Sequence, residues 1–138
     1  MSFARLSLFA LLSLAAFASP TSADQLDGRS AVIIDGDTVA FGHERVRIIN
    51  IEAPGISEPG CEREEIFALR SRQRLAELIG TGLVRIERTG RDEIGRTLGR
   101  LFLEDGRDVA EILVAEGLAV VWYEGEEARE SRRQHWCG

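Results

Sequence analysis

Lysine is absent from this chain: all 17 basic residues are arginine. Arginine suits bidentate contacts to phosphate, but so uniform a usage also follows from genome composition and assigns nothing alone. Positive charge is outweighed as well, since 23 acidic residues leave a formal net charge of −6. The bulk field therefore opposes a polyanion partner, and any nucleic-acid binding must come from a local basic cleft. Cysteine is scarce, with Cys61 and Cys137 the only two. Only His43 and His135 could join them as ligands, and no ligand spacing is present, which disfavours a thiolate–imidazole metal site. Long apolar runs are missing too. The one at 6–17 is about a dozen residues, against the roughly 20 that a membrane span needs. There is no internal repeat and no long linker.

The 6–17 run has the form of a secretory leader, with Arg5 before it and small residues after it. Cleavage after Ala18 or Ala23 fits, and Pro20 beside the first site favours Ala23. A membrane anchor is the alternative, and the lack of a cysteine after the run disfavours a lipoprotein. The expectation is a signal peptide over 1–23 and one domain over 24–138. Removing 23 of 138 residues leaves 115, enough to close one core, and loses only Arg5 among the charges, so the net charge moves from −6 to −7. The expected product is secreted or periplasmic, monomeric, and without membrane contact once the leader is gone. In an oxidising compartment two cysteines read as a disulfide. Closing a loop of about 75 residues contributes roughly 4 kcal/mol in the chain-entropy description. Two cysteines that never meet remain the alternative.

Hydrophobic periodicity places short strands over 31–34, 38–41 and 45–51, broken by Asp-Gly-Asp at 35–37 and Gly42-His43. Pro54, Gly55, Pro59 and Gly60 mark a loop. Over 62–79 the period becomes helical, with Ala68, Leu75, Leu78 and Ile79 on one face and acids ahead of arginines, as the helix dipole prefers. Strands follow at 83–88 and 97–103. A short helix spans 108–116, capped by Asp108 and stopped by Gly117. Residues 118–123 are apolar and expected to pack on the sheet; 124–133 reads as a solvated helix or tail. Three strands, a helix, two strands and a helix make a β-rich α+β chain. That order fits a five-stranded barrel of the oligonucleotide/oligosaccharide-binding (OB) type with two to three helices.

Chemistry concentrates in Ile34-Asp35-Gly36-Asp37-Thr38-Val39 and in 46–54, which carries Arg47, Glu52 and Pro54. Two carboxylates in a turn, with an arginine and a third carboxylate one strand later, suit metal-assisted attack on a phosphodiester. Singly, each has a duller explanation. Asp-Gly-Asp makes hairpin turns, Arg47 decorates a strand, and Gly95-Arg96 is a turn. Trp122 and Tyr123 serve as core and rim. His43 and His135 are given no role.

Four pieces in order, 34–39, 47–54, 92–98 and 108–119, resemble the staphylococcal nuclease-like (thermonuclease) family over nearly all of the mature chain. The resemblance implies an OB-type barrel that cleaves DNA and RNA with bound Ca²⁺. By it, Asp37 is the principal metal ligand and Glu52 stands where a second aspartate ligand is usual. The Ala53 carbonyl is the next ligand, and Asp35 is a carboxylate beside the site. Arg47 and Arg96 match the two arginines on the scissile phosphate, and Tyr123, with Trp122, lies near where an aromatic meets the nucleotide. The chain departs from the pattern at Gly55, where the family has a glutamate that orients or deprotonates the attacking water. Glycine does neither, and a positioned general base is typically worth 10²–10⁴-fold. Glu58, three residues along the loop, is the best-placed substitute, ahead of Glu62 or a metal-bound hydroxide. Two readings stand: a Ca²⁺-dependent nuclease of single-stranded DNA or RNA slowed by Gly55, or an impaired module that binds nucleic acid or nucleotide.

Overall fold

The computed structural model describes residues 24–138, and the leader expected over 1–23 lies outside the described residues. Along the chain run β1 (Asp24–Asp27), β2 (Val32–Asp35), β3 (Thr38–Phe41), β4 (Glu44–Ile48) and β5 (Ile51–Glu52). Next come α1 (Glu62–Ile79), β6 (Leu83–Arg91), β7 (Thr97–Phe102), α2 (Val109–Ala115), β8 (Val120–Val121) and α3 (Glu126–Cys137). Six strands form one sheet in the order β1-β6-β7-β4-β3-β2, while β5 and β8 pair separately. The five expected strands are β2, β3, β4, β6 and β7, curled into an OB-type half-barrel, and the α+β class is as expected. No described helix is long and apolar enough to cross a membrane.

Three departures have local causes. The single strand expected over 45–51 is broken because Asn50 takes φ 68°, a left-handed conformation that asparagine tolerates. Beyond it, β5 turns away to pair with β8, Glu52 opposite Val120. Strand β1 was not expected, since Asp-Gln-Leu-Asp has neither length nor a clear apolar face; its partner β6 makes it a strand. The segment read as a solvated helix or tail is a helix, α3, but it is not wholly solvated, since its Ala128 and Trp136 are buried.

Alternation along the strands sends Val39, Val46, Ile48, Val84, Ile86 and Leu101 inward, and Leu75 and Ile79 of α1 close over them. Cys61 caps α1 by accepting from the Glu64 amide at 3.4 Å, and three glutamates in the first turn favour the dipole. The turn between β2 and β3 is seated against this helix. A Cβ on Gly36 would lie 2.4 Å from Ser71 Cβ and 2.8 Å from Ala53 Cβ, so only glycine allows the approach that sets Asp35 and Asp37 in place.

Candidate active site

Strands β4 and β7 run parallel, with Arg47 opposite Leu98 and Val46 opposite Thr97. Val46, Ile48, Thr97 and Gly99 are buried, so the alternating positions Arg47, Arg96 and Leu98 share the outer face. Sheet register thus brings together two arginines 49 positions apart in sequence. They line one groove of about 780 Å³, with Ile49, Ile51, Ile94, Leu98 and Trp122 as its apolar lining. Arg91 adds a third guanidinium, but Asp92, Glu93 and Glu124 also line the groove. The local basic cleft demanded by the net charge is therefore mixed in sign.

Arg96 is held from its own turn. Its Nε donates to Asp92 Oδ2 at 2.6 Å and its backbone N–H to Asp92 Oδ1 at 2.9 Å. Gly95, at φ 84°, supplies the left-handed step that closes this turn. Burial pushes the Asp92 carboxyl up, but the Arg96 side-chain and backbone hydrogen bonds outweigh it and hold it below the usual range. With Nε taken, both Nη nitrogens of Arg96 are free of protein acceptors among the described residues.

Arg47 is engaged more fully. It donates through Nη1 to the Ile48 carbonyl and through Nη2 to the Ile51 carbonyl at 3.0 Å, and Nη2 lies 3.4 Å from Asp37 Oδ2. Asp37, only 7% exposed, also accepts from Thr38 Oγ1 at 2.9 Å and from the Ala53 N–H at 2.8 Å. The Asp37 carboxylate therefore pins the 51–53 segment to the β2–β3 turn.

Asp37 and Glu52 carry hard carboxylate oxygens, the donor type Ca²⁺ takes, and the Ala53 N–H donates to Asp37 Oδ2 at 2.8 Å, which sets the backbone of residue 53 beside that carboxylate. The carboxylates are not drawn into one cluster, however. Among the described residues the only trio of candidate ligand atoms within reach of one ion is Cys61, Glu64 and Cys137. Those two sulfurs form a disulfide, with Cα atoms 5.8 Å apart. Instead, Asp37 has Arg47 as its counter-charge, and Glu52 Oε2 has Arg132 Nε of α3 at 3.0 Å. Asp35 is half-buried beside a register shift in the β2–β3 pairing.

Gly55 sits exposed in the loop after Pro54, and a Cβ there would meet nothing within 4 Å. Glu58 is exposed, accepts no hydrogen bond among the described residues, and does not line the groove. Trp122 does line it, and its backbone N–H donates to the Asn50 carbonyl at 2.9 Å. Tyr123 is exposed outside it, its carbonyl accepting from Arg132 Nη1 at 3.2 Å.

Sequence reasoning assigned no role to Asp92 or Arg132. Asp92 carried a signal, a carboxylate four residues ahead of Arg96 across a glycine turn. Arg132 carried none, because its segment reads as solvated.

The family described as staphylococcal nuclease homologue matches residues 45–136, which takes in Arg47, Glu52, Arg96 and Trp122. An uncharacterized endonuclease of Escherichia coli O157:H7 is 27% identical over 134 residues, 87% of this chain and 83% of that protein. The protein ParB of Escherichia coli is 32% identical over 130 residues, 86% of this chain and 69% of its own length. The succinoglycan biosynthesis protein ExoI of Rhizobium meliloti (strain 1021) is 35% identical over 108 residues, 72% of this chain and 53% of its own. With two thirds of its length matched and an arginine-lined groove on the sheet face, the chain belongs to the staphylococcal nuclease homologue family.

Proposed function

We propose that the protein is a secreted, Ca²⁺-dependent nuclease that hydrolyses phosphodiester bonds of single-stranded DNA or RNA, at a rate limited by Gly55. The observation that carries this reading is the convergence of Arg47 and Arg96 on one groove that Trp122 also lines. The paired Nη donors of Arg96 suit the equatorial oxygens of a phosphate as negative charge grows in the transition state. Arg47 presents a second guanidinium while its carbonyl bonds hold the 48–51 turn. Trp122, 43% exposed, offers an apolar face on which an unpaired base can stack, and an open groove accepts a flexible strand most easily. Asp37, Glu52 and the Ala53 carbonyl would hold the cation. Bound there, Ca²⁺ would polarise a phosphoryl oxygen and lower the pKa of a water. Glu58 is the candidate to replace the missing base by movement of its loop.

A second reading, a nuclease-like module that binds nucleic acid or nucleotide without turnover, draws on Gly55 and on the acids lining the groove. The test is to incubate the oxidised protein with single-stranded DNA and RNA, with Ca²⁺ or chelator, beside Arg96→Ala. Cleavage that needs Ca²⁺ and vanishes in the variant supports the nuclease. Binding without cleavage at any Ca²⁺ concentration supports the module.

A further inference from the structure

The buried face of α3 carries a charge. Ala128, Arg132 and Trp136 recur at four-residue spacing on one side of the helix, and Ala128 and Trp136 are 1% and 2% exposed. The Arg132 side chain is 17% exposed, whereas those of its helix neighbours Arg129 and Arg133 are 72% and 69% exposed. A guanidinium is turned inward only against a partner, and its partner is Glu52, with Nε 3.0 Å from Oε2. Arg132 Nη1 is held in turn by the Tyr123 carbonyl. The helix bearing it is fixed at its far end by Trp136 against Phe67, ring centroids 5.4 Å apart, and by the Cys61–Cys137 disulfide.

We infer that Arg132 is the resident counter-cation of Glu52 and lowers the affinity of this carboxylate site for a divalent cation, which binds against the charge of the guanidinium or displaces it. The inference rests on the proposed role of Glu52 as a ligand. A guanidinium and a divalent ion on one carboxylate repel each other, and with the Arg132 and Glu52 side chains 17% and 35% exposed, water screens that repulsion only in part. Binding of one therefore weakens the hold of the other, and the two are coupled negatively. Glu52 is suited to the exchange, because its stem lets the carboxylate swing away from Arg132 while β5 stays paired with β8.

The test is calorimetric titration of Ca²⁺ into the oxidised protein without nucleic acid, so failure of the nuclease reading and failure of this one are separable. Arg132→Gln is expected to bind Ca²⁺ about tenfold more tightly than the wild type, within the usual span of coupling between sites. Glu52→Gln is expected to lose the binding. Arg132→Lys keeps the charge on a shorter side chain with a single nitrogen in place of the planar fork and is expected to tighten binding by less; it carries the test if Arg132→Gln loses its near-UV circular dichroism. Unchanged or weaker affinity in both arginine variants would overturn the inference, as would full affinity in Glu52→Gln. Absence of Ca²⁺ binding in every form would overturn it too, since Arg132 would not then be what keeps the ion out.

Discussion

The two arginines of the groove and the two carboxylates beside them are held by different means. Arg96 is oriented by a carboxylate four residues away, and Arg47 by carbonyls of the turn that follows it, so local sequence builds this half of the site. Parallel pairing of β4 and β7 then sets the two side by side. The carboxylate half is assembled from afar. Asp37 reaches position through the seating of Gly36 on α1, and Glu52 answers to an arginine 80 positions later, on a helix anchored by a disulfide. The arginines are held without any ligand; the carboxylates are met by counter-charges, and glycine stands at position 55, where the proposed mechanism calls for a base. On the proposed reading, phosphate recognition and water activation are therefore separable.

Substitutions can test that separation. Arg96→Ala removes the Nη donors proposed for the phosphate, and cleavage under single-turnover conditions is expected to fall on the order of 10²–10³-fold, with circular dichroism unchanged. Replacing both cysteines, as Cys61→Ser with Cys137→Ser, frees the end of α3. Denaturant unfolding is expected to show a loss of about 2–4 kcal/mol, because a loop of about 75 residues is no longer closed in the unfolded chain. Asp92→Asn keeps the turn but takes away the charge that fixes Arg96. A fall in cleavage of about tenfold is expected, and it should shrink to nothing in an Arg96→Ala background, as coupled neighbours require.

The smallest effect concerns Glu44, which braces the sheet beside Arg96. It accepts from Arg88 Nε at 2.8 Å and Nη2 at 2.7 Å and from Thr97 Oγ1 at 2.8 Å. The Arg88 bonds, against burial and with help from Thr97, hold its carboxyl at about 2 rather than the ordinary 4.5. A carboxyl depressed in the fold adds stability that is full above 4.5 and is lost as pH falls towards 2. Thermal melts should therefore fall over that window, and less steeply in Glu44→Gln.

Much of this could be read in the chain because its signals are local. The helix over 62–79 has acids, apolar spacing and a glycine stop, and α1 runs Glu62–Ile79. Asp108 and Gly117 likewise frame α2, and the Asp-Gly-Asp turn and Gly95 stand where they were expected. What escaped depends on distant partners. Strand β1 exists because β6 has a free edge, and the break at Asn50 because β8 waits beyond it. Arg132 looks like any surface charge until Ala128 and Trp136 are seen to bury the face it shares. The carboxylates illustrate the same limit: their spacing names them together, but their counter-ions come from β4 and α3.

Restoring a carboxylate at Gly55 tests the separation of the two halves most directly. The position is exposed and an added Cβ meets nothing within 4 Å, so the loop need not rearrange. Single-turnover cleavage of a labelled single-stranded oligonucleotide with Ca²⁺ should rise on the order of 10²-fold in Gly55→Glu, at unchanged oligonucleotide affinity. Equal rates in the two proteins would contradict the account, because the carboxylate half would then lack more than its base.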